Sequence, residues 1–567
     1  MVAPKTVSVA SAYLALLADR GVDYLFGNAG TDFAPVVEAY AQAEQQGGKV
    51  PAPILATHEN LAVSMAHGYA MITRKIPAVM VHVSVGTANM VCGAMNAARE
   101  NVAILLTAGR TPINEAGPLG ARDGYIHWAQ EMFDQAGMLR ELGKWDYELR
   151  NGEQLETVVD RALAIAASEP RGPVYLSLPR EVLAAPASNA RRSPTRLRAP
   201  APFAPDGTAV ADAARMIASA QRPLTLTSSA GRDPAAFAAL AQFADRFAIP
   251  VAQHHPRHLS LPSSHAMNLG YEPTPLLADA DLILALETDV PWIPALGSPP
   301  ERCKVIQAGF DPLFTHIPVR GFACDLGITG GVAAILGALA RELEPTIDPS
   351  VVAQRRAWVA GKRRGQLEER ASLRERVANR QPIHPAWVSH CLGAAMDPRA
   401  ILVNEYTLRL DHCDFEHADS YFGSSSASGL GWGAGAALGA KLGAPERPVI
   451  AVVGDGAYLF SNPAAVHHAA ALHELPVLFV VMNNAMWNAV RRFTVGMYPR
   501  GKAAKSNRSA FTRLDRLPAF EQICAAAGGY GERVDDPAQL PGAVERAMAV
   551  VANEKRQALL NVMCSPD

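Results

Sequence analysis

The chain of 567 residues predicts an α/β protein of three doubly wound domains with parallel sheets. Short apolar, β-branched runs such as Ala78–Val83, Leu282–Leu286 and Val449–Val453 alternate with helical stretches, the pattern of buried parallel strands joined by crossover helices. That rhythm occurs three times. Two stretches interrupt it: 184–205, rich in Pro, Ala and Arg, and 346–381, helical and strongly charged. The domains are therefore placed at 1–183, 206–345 and 382–567. The first interruption reads as a solvated tether and the second as a helix whose charge faces water.

The elements follow in order. Val7–Asp19 reads as an amphipathic helix and Tyr24–Phe26 as a strand ending in Gly27-Asn28-Ala29-Gly30-Thr31. Ile54-Leu55 is a second strand, and His58-Glu59-Asn60 starts a helix running through Tyr69. After the strand Ala78–Val83, Gly86-Thr87-Ala88-Asn89 opens the next helix. Val102–Ala108 and Gly172–Pro179 complete the first set. The middle domain offers Leu224–Thr227, Val251-Ala252, Leu282–Leu286 and Val305–Gln307.

Composition narrows the function. Nearly half of the residues are apolar and the formal net charge is −2, so a nucleic-acid partner is not expected. Seven scattered cysteines without a CxxC pair favour reduced thiols and a cytoplasmic setting. The first ten residues hold no apolar core of signal-peptide length, and no apolar run reaches the length of a membrane span.

The third domain carries the most specific stretch, residues 449–490. Val449–Val453 ends in Gly454-Asp455-Gly456, read as a tight turn whose glycines let backbone approach a ligand. Asn462-Pro463 starts an Ala-rich helix that ends near Leu475, and Pro476 stops it. Val477–Met482 then brings Asn483-Asn484 to the sheet edge that holds Asp455, where open α/β sheets bind ligands. A carboxylate, an amide oxygen and a backbone carbonyl suit Mg²⁺, which fills its shell with water and phosphate oxygens. A diphosphate held through the metal is the natural ligand.

Gly-Asp-Gly, residues 457–482 and Asn-Asn together resemble the thiamine diphosphate (ThDP) motif of the pyruvate decarboxylase and acetolactate synthase superfamily. GPVYLSLPREV (172–182) and RPVIAVVGDG (447–456) extend the resemblance over nearly the whole chain. It implies pyrimidine-binding, central and diphosphate-binding domains, in that order. It also implies that Asp455, Asn484 and the Met486 carbonyl hold the metal, and that Gly454, Gly456, Ala457 and Thr407 contact the cofactor. Glu59, in Thr57-His58-Glu59-Asn60, lies where the superfamily places the glutamate that partners the aminopyrimidine. Taken alone it would be a solvated first-turn carboxylate favoured by the helix dipole. Leu430, in SGLGWG (428–433), stands at the position of the apolar wedge that bends the cofactor. The resemblance further implies a homodimer or homotetramer with ThDP at the subunit interface. FAD stays open: acetolactate synthases carry it in the central domain without the glycine-rich fingerprint, which is absent here.

Within the superfamily the chain most resembles the benzoylformate decarboxylases. FGNAGT (26–31) and VHVSVGTAN (81–89) place His82 on their first active-site histidine and Thr31 on their active-site serine. LPSSH (261–265) makes His265 the match for their second histidine, with His254, His255 and His258 as competing candidates. NEYT (404–407) resembles a further stretch, and Asn28, Ala489 and Phe493 fall on substrate-pocket positions. Thr31 for serine, Ala29 for proline and Trp487-Asn488 for Tyr-Gly are departures that leave the substrate undetermined. His467-His468 read as structural. The implied activity is ThDP- and Mg²⁺-dependent decarboxylation of a 2-oxo acid through an enamine, with carboligation to an aldehyde as a side or main reaction. The alternatives are an acetolactate-synthase-like carboligase or acyltransferase, and a ThDP-binding protein without catalysis.

Overall fold

The computed structural model describes residues 7–187, 197–406, 408–506 and 510–566, so 188–196 of the first interruption and Thr407 lie outside the described residues. Three parallel sheets follow one another along the chain. The first contains β1 (Tyr24–Gly27), β2 (Ala52–Leu55), β3 (Ala78–Val81), β4 (Leu105–Arg110), β5 (Asp146–Glu148) and β6 (Val174–Pro179), in the order β2-β1-β3-β4-β6-β5. The second contains β7 (Pro223–Thr227), β8 (Val251–Gln253), β9 (Leu282–Leu286), β10 (Lys304–Gly309) and β11 (Leu326–Thr329), in the order β11-β10-β9-β7-β8. The third contains β12 (Ile401–Glu405), β13 (Tyr421–Gly423), β14 (Val449–Gly454), β15 (Leu478–Asn483), β16 (Tyr530–Val534) and β17 (Ala558–Met563), in the order β13-β12-β14-β15-β17-β16. The central strands are buried along their length, as apolar runs between two helical layers require. The two strands that the sequence did not announce in the first two domains, β5 and β11, are edge strands without a continuous apolar run.

The first and third domains share one core. The helices Glu59–Thr73 and Trp432–Gly443 pack in parallel, with glycines where their backbones meet. A Cβ at Gly439 would lie 1.8 Å from the Met65 carbonyl oxygen, and one at Gly68 would lie 1.9 Å from that of Ala436. Glycine is required here for close approach, not for an unusual φ. Gly435 faces Leu61 and Ser64, whereas Gly443 faces Ile72 and Thr73. The start of the Glu59 helix and the loop before Trp432 therefore lie at the same end of the pair.

Three local expectations change. The helix after β3 starts at Val83, not Gly86, so His82 is its N-cap residue. Gly454-Asp455-Gly456 is not a tight turn: Gly454 is the N-cap of a short helix, Asp455–Phe460, and Asn462 (φ +56°) breaks the chain before the helix Pro463–Leu472. The charged stretch is one helix, Pro349–Val377, that does more than face water. Its buried Arg355 donates to the carbonyl oxygens of Ile217 and Ala220, both at 2.6 Å, capping a helix end in the middle domain. Burial brings that guanidinium down to about 10.

Candidate active site

Strand β14 and the helix after it bury Asp455 at 3% exposure. Its Oδ1 accepts the Gly456 N–H at 2.7 Å and its Oδ2 accepts the Asn484 N–H at 3.1 Å. Burial pushes this carboxyl above its ordinary range, and backbone N–H groups of Gly456, Ala485, Met486 and Asn484 pull it back. Among the described residues no Lys or Arg pairs with it. A buried carboxylate held only by N–H groups suits a cation. Asn484 Oδ1 accepts the Met486 N–H at 3.1 Å, and Ala485 turns through φ +52°. Asp455, Asn484 and Met486 are thus brought together as the spacing required. Trp487 covers the same loop: a Cβ at Gly456 would lie 2.2 Å from its ring.

Leu430 sits half-buried in a loop gripped from two sides. Asn96, from the first domain, donates to the Gly429 carbonyl at 2.8 Å and accepts the Gly429 N–H at 3.0 Å. Glu405, the last residue of β12, accepts the N–H groups of Gly431 at 2.8 Å and Gly433 at 2.6 Å. Gly431 has φ +87°, a conformation that favours glycine. Burial pushes the Glu405 carboxyl up to about 7, against those backbone bonds.

Glu59 is 7% exposed, so the solvated first-turn reading fails. Asn28 Nδ2 donates to its Oε1 at 2.8 Å and Asn89 Nδ2 to its Oε2 at 3.0 Å. Asn28, expected in the substrate pocket, is committed to Glu59.

Two histidines of the first domain lie close enough to influence each other electrostatically. His82 Nδ1 donates to Asp32 Oδ1 at 2.5 Å, and its Nε2 lies 3.2 Å from the Gln130 side-chain amide. His127 approaches from the loop after β4, with Nε2 3.4 Å from Thr31 Oγ1. The N–H groups of Asp123 and Gly124 both donate to its Nδ1, at 3.3 Å, which leaves Nε2 as the protonated nitrogen. Burial, with Arg180 nearby, holds the His127 imidazole below its ordinary value.

Comparison with known proteins decides the family. Residues 7–138 match the N-terminal TPP binding domain of thiamine pyrophosphate enzymes, 210–339 the central domain and 406–562 the C-terminal TPP binding domain. The chain belongs to the thiamine pyrophosphate enzymes. It is therefore a ThDP-dependent lyase or carboligase. A protein named probable 2-ketoarginine decarboxylase from Pseudomonas aeruginosa is 28% identical, over 87% of this chain and 85% of its own. The sulfoacetaldehyde acetyltransferase of Castellaniella defragrans is 26% identical, over 98% and 92%. The benzoylformate decarboxylase of P. aeruginosa is 25% identical, over 96% and 97%. In fold, the chain is similar to the ThDP-dependent 4-hydroxybenzoylformate decarboxylase of Rhodococcus jostii, with a TM-score of 0.77 and 21% identity over 99% and 100% of the two chains.

In this ThDP enzyme some expected residues lie elsewhere. His265 is bound within the middle domain: its Nδ1 accepts the Met267 N–H at 3.1 Å and its Nε2 donates to the Ala241 carbonyl at 3.1 Å. Both ring nitrogens are used, so the structure corrects His265 to a structural residue. His254, edge-on to His255, and His258, edge-on to Phe422, are buried; among the described residues no group of three metal-ligating side chains forms. Ala489 and Phe493 lie on the helix Asn488–Met497, none of whose residues is buried. His467 is structural as read: Tyr458 Oη lies 2.8 Å from its Nε2 and Gln557 Oε1 2.7 Å from its Nδ1. The carboxyl ends of β7 and β9 are filled by ion pairs of Arg232 with Glu287 and of Arg257 with Asp289 and Glu100. Sequence reasoning missed Asp32, His127, Gln130, Asn89 and Asn96, and gave Glu405 no role. Asp32 adjoins Thr31 and was within reach of the motif. His127 lies on the one-turn helix Ile126–Ala129 and Gln130 is its C-cap, an element too short to carry a periodic signal.

Among the described residues no helix is long and apolar enough to cross a membrane.

Proposed function

We propose that this chain is a Mg²⁺-dependent decarboxylase of a small 2-oxo acid, in which His82 gives the proton and His127 orients the substrate. The observation that carries this reading is the pair of imidazoles beside Thr31 in different environments. One donates to a buried carboxylate, and the other accepts backbone N–H groups at Nδ1 and is held below its ordinary value by burial and Arg180. When bound, ThDP would supply a carbon nucleophile and a cationic thiazolium ring able to take up the electron pair left behind when CO₂ departs. Asp455, Asn484 and the Met486 carbonyl would hold Mg²⁺ and through it the diphosphate. Gly454, Gly456 and Ala457 would line the diphosphate, and Leu430 would support the bend between the rings. Glu59, oriented by Asn28 and Asn89, would bond the pyrimidine. His82 would donate a proton from Nε2 to carbon, and His127, through its Nε2–H, would orient the substrate carboxylate together with Thr31.

A second copy would complete the site. Tyr125, Trp128 and Phe133 in the loop after β4, and Phe493, Met497 and Phe511 beyond Trp487, are large apolar side chains exposed in one chain. We expect a homodimer or homotetramer, and a fully active monomer in ultracentrifugation at assay concentration would contradict it. Free thiols on all seven cysteines support a reducing, cytoplasmic setting.

Acyl transfer or carboligation is the second reading, favoured by the similarity to an acetyltransferase and to acetolactate synthases at comparable identity. Measuring CO₂ and carbon products from aliphatic and aromatic 2-oxo acids, with and without an aldehyde acceptor, separates the two. Free aldehyde one carbon shorter than the substrate supports decarboxylation; ligated product alone overturns it.

A further inference from the structure

The turn after β1 holds a carboxylate that the chemistry above leaves unused. Asp32 is 3% exposed and binds two groups of the adjoining strand end. Its Oδ1 accepts His82 Nδ1–H at 2.5 Å, and its Oδ2 accepts the Val83 N–H at 3.3 Å. Val83 has φ +31°, a strained conformation for a β-branched residue, and it is the first residue of the helix that follows His82. Asp32 thus holds both the imidazole and the strained backbone that carries it. Two glycines make the room. A Cβ at Gly109 would lie 1.7 Å from Asp32 Oδ2, and one at Gly30 would lie 2.2 Å from His82 Nδ1.

The other side of the ring completes the argument. Gln130 Nε2 lies 3.2 Å from His82 Nε2, while Gln130 Oε1 is buried without a partner. Amide nitrogen and oxygen are assigned from the bonding network. Turning the amide over gives Oε1 a donor, His82 Nε2–H. In that arrangement Nδ1 faces the Asp32 carboxylate and Nε2 faces the Gln130 amide oxygen, so each ring nitrogen has an acceptor.

We propose that Asp32 is a positioning residue that fixes the Nδ1-protonated form of His82, so that Nε2 is the atom that gives the proton. This rests on the reading of His82 as the proton donor. The proton leaves from Nε2 and Asp32 stays ionised. The titratable groups facing the ring are Asp32, from the turn after β1, and His127, from the loop after β4. Gln130 and Thr31 are neutral.

Asp32→Asn keeps the shape and removes the charge. The expected result is ThDP affinity and KM near wild type, with kcat at least about tenfold lower, the factor that one pKa unit represents. The pH dependence of kcat should also differ from wild type, because the partner of Nδ1 has lost its charge. Independently of activity, ¹⁵N spectra of histidine-labelled protein should show His82 protonated at Nδ1, its signal identified by its loss in His82→Ala. That pattern should change in Asp32→Asn. Wild-type kcat and pH profile in Asp32→Asn, with His82→Ala slow, would overturn the role of Asp32 and leave the proton-donor reading intact. A wild-type rate in His82→Ala would overturn that reading and this inference with it. If Asp32→Asn fails to fold, an unprotonated Nδ1 in the wild-type spectrum is the overturning result.

Discussion

The first and third domains are built on one plan and filled with opposite chemistry. Both sheets have six parallel strands in the same order, and in both the third strand of the domain runs straight into a helix. At that shared place the first domain has His82 and the third has Asp455. At the end of the domain's first strand the contrast repeats, with Asn28 in one and Glu405 in the other. The third domain sets buried carboxylates against backbone N–H groups, an arrangement that binds cations and fixes loops. The first sets imidazoles beside a hydroxyl and a carboxylate, an arrangement that moves protons. A common fold therefore says where a site is, and the residues at the strand ends say what it does.

The contrast breaks most completely at Asp455. Asp455→Ala removes the anionic ligand and should abolish Mg²⁺-dependent ThDP binding in titration calorimetry. Wild-type affinity in that variant would remove the third domain from the binding role. Next in size is Glu59→Gln. It should leave ThDP bound and lower turnover by about 10²–10⁴-fold, the range of a positioned proton partner. A wild-type rate at full ThDP occupancy would rule Glu59 out. His82→Ala and His127→Ala should each lower turnover by about 10²-fold with ThDP affinity unchanged, whereas His265→Ala should change it by less than about twofold. A slow His265→Ala beside a fast His127→Ala would reverse the assignment of the second histidine.

How far the sequence reached follows from the same contrast. Asp455 and Asn484 end two strands of one strand–helix–strand unit, so spacing placed them at one sheet edge, whereas the metal-ligand roles of Asp455, Asn484 and Met486 were implied by the resemblance. Leu430 and Glu59 were reached through motifs on single helix starts. The Asp32–His82 and Thr31–His127 pairs join residues 50 and 96 apart in sequence, and no period or spacing encodes such a meeting. His265 lies elsewhere for a related reason: a short motif fixed its neighbours, but hydrogen bonds of its ring to the Ala241 carbonyl and the Met267 N–H hold it within the middle domain. The turn assigned to Gly454-Asp455-Gly456 failed because glycines suggested a turn where the backbone is helical. Of the edge strands in the first two domains, β2 and β8 were read from short apolar pairs, whereas β5 and β11 carry no continuous apolar run and were not.

The shared core of the two domains offers a smaller test, on stability instead of chemistry. Gly439→Ala places a methyl group against the Met65 carbonyl, and backbone on both sides must move. A loss of about 1–3 kcal/mol is expected, read as a lowered Tm in thermal unfolding. An unchanged Tm would mean that the two helices are not held as closely as their glycines suggest.

The smallest effect lies in the pH dependence of stability, and its sign separates the two kinds of buried group. Burial brings His67 to about 3 and His254 and His467 to about 4. A histidine lowered on folding contributes stability that is present above its unfolded value, near 6.5, and lost as pH falls below it. Glu405 works the other way. Its folded value is raised from 4.5 to about 7, so its contribution is full below 4.5 and is lost as pH rises through 7. Wild-type stability should therefore fall at acid pH from the histidines and sag between pH 5 and 7.5 from Glu405. Glu405→Gln stays neutral at every pH and keeps an acceptor for Gly431 or Gly433, so it should remove the sag and leave the acid limb in place. The measurement is Tm against pH for the two proteins. A constant difference between the curves from pH 5 to 8 would mean that Glu405 does not titrate in this window and that its carboxylate is stabilised by the loop it holds.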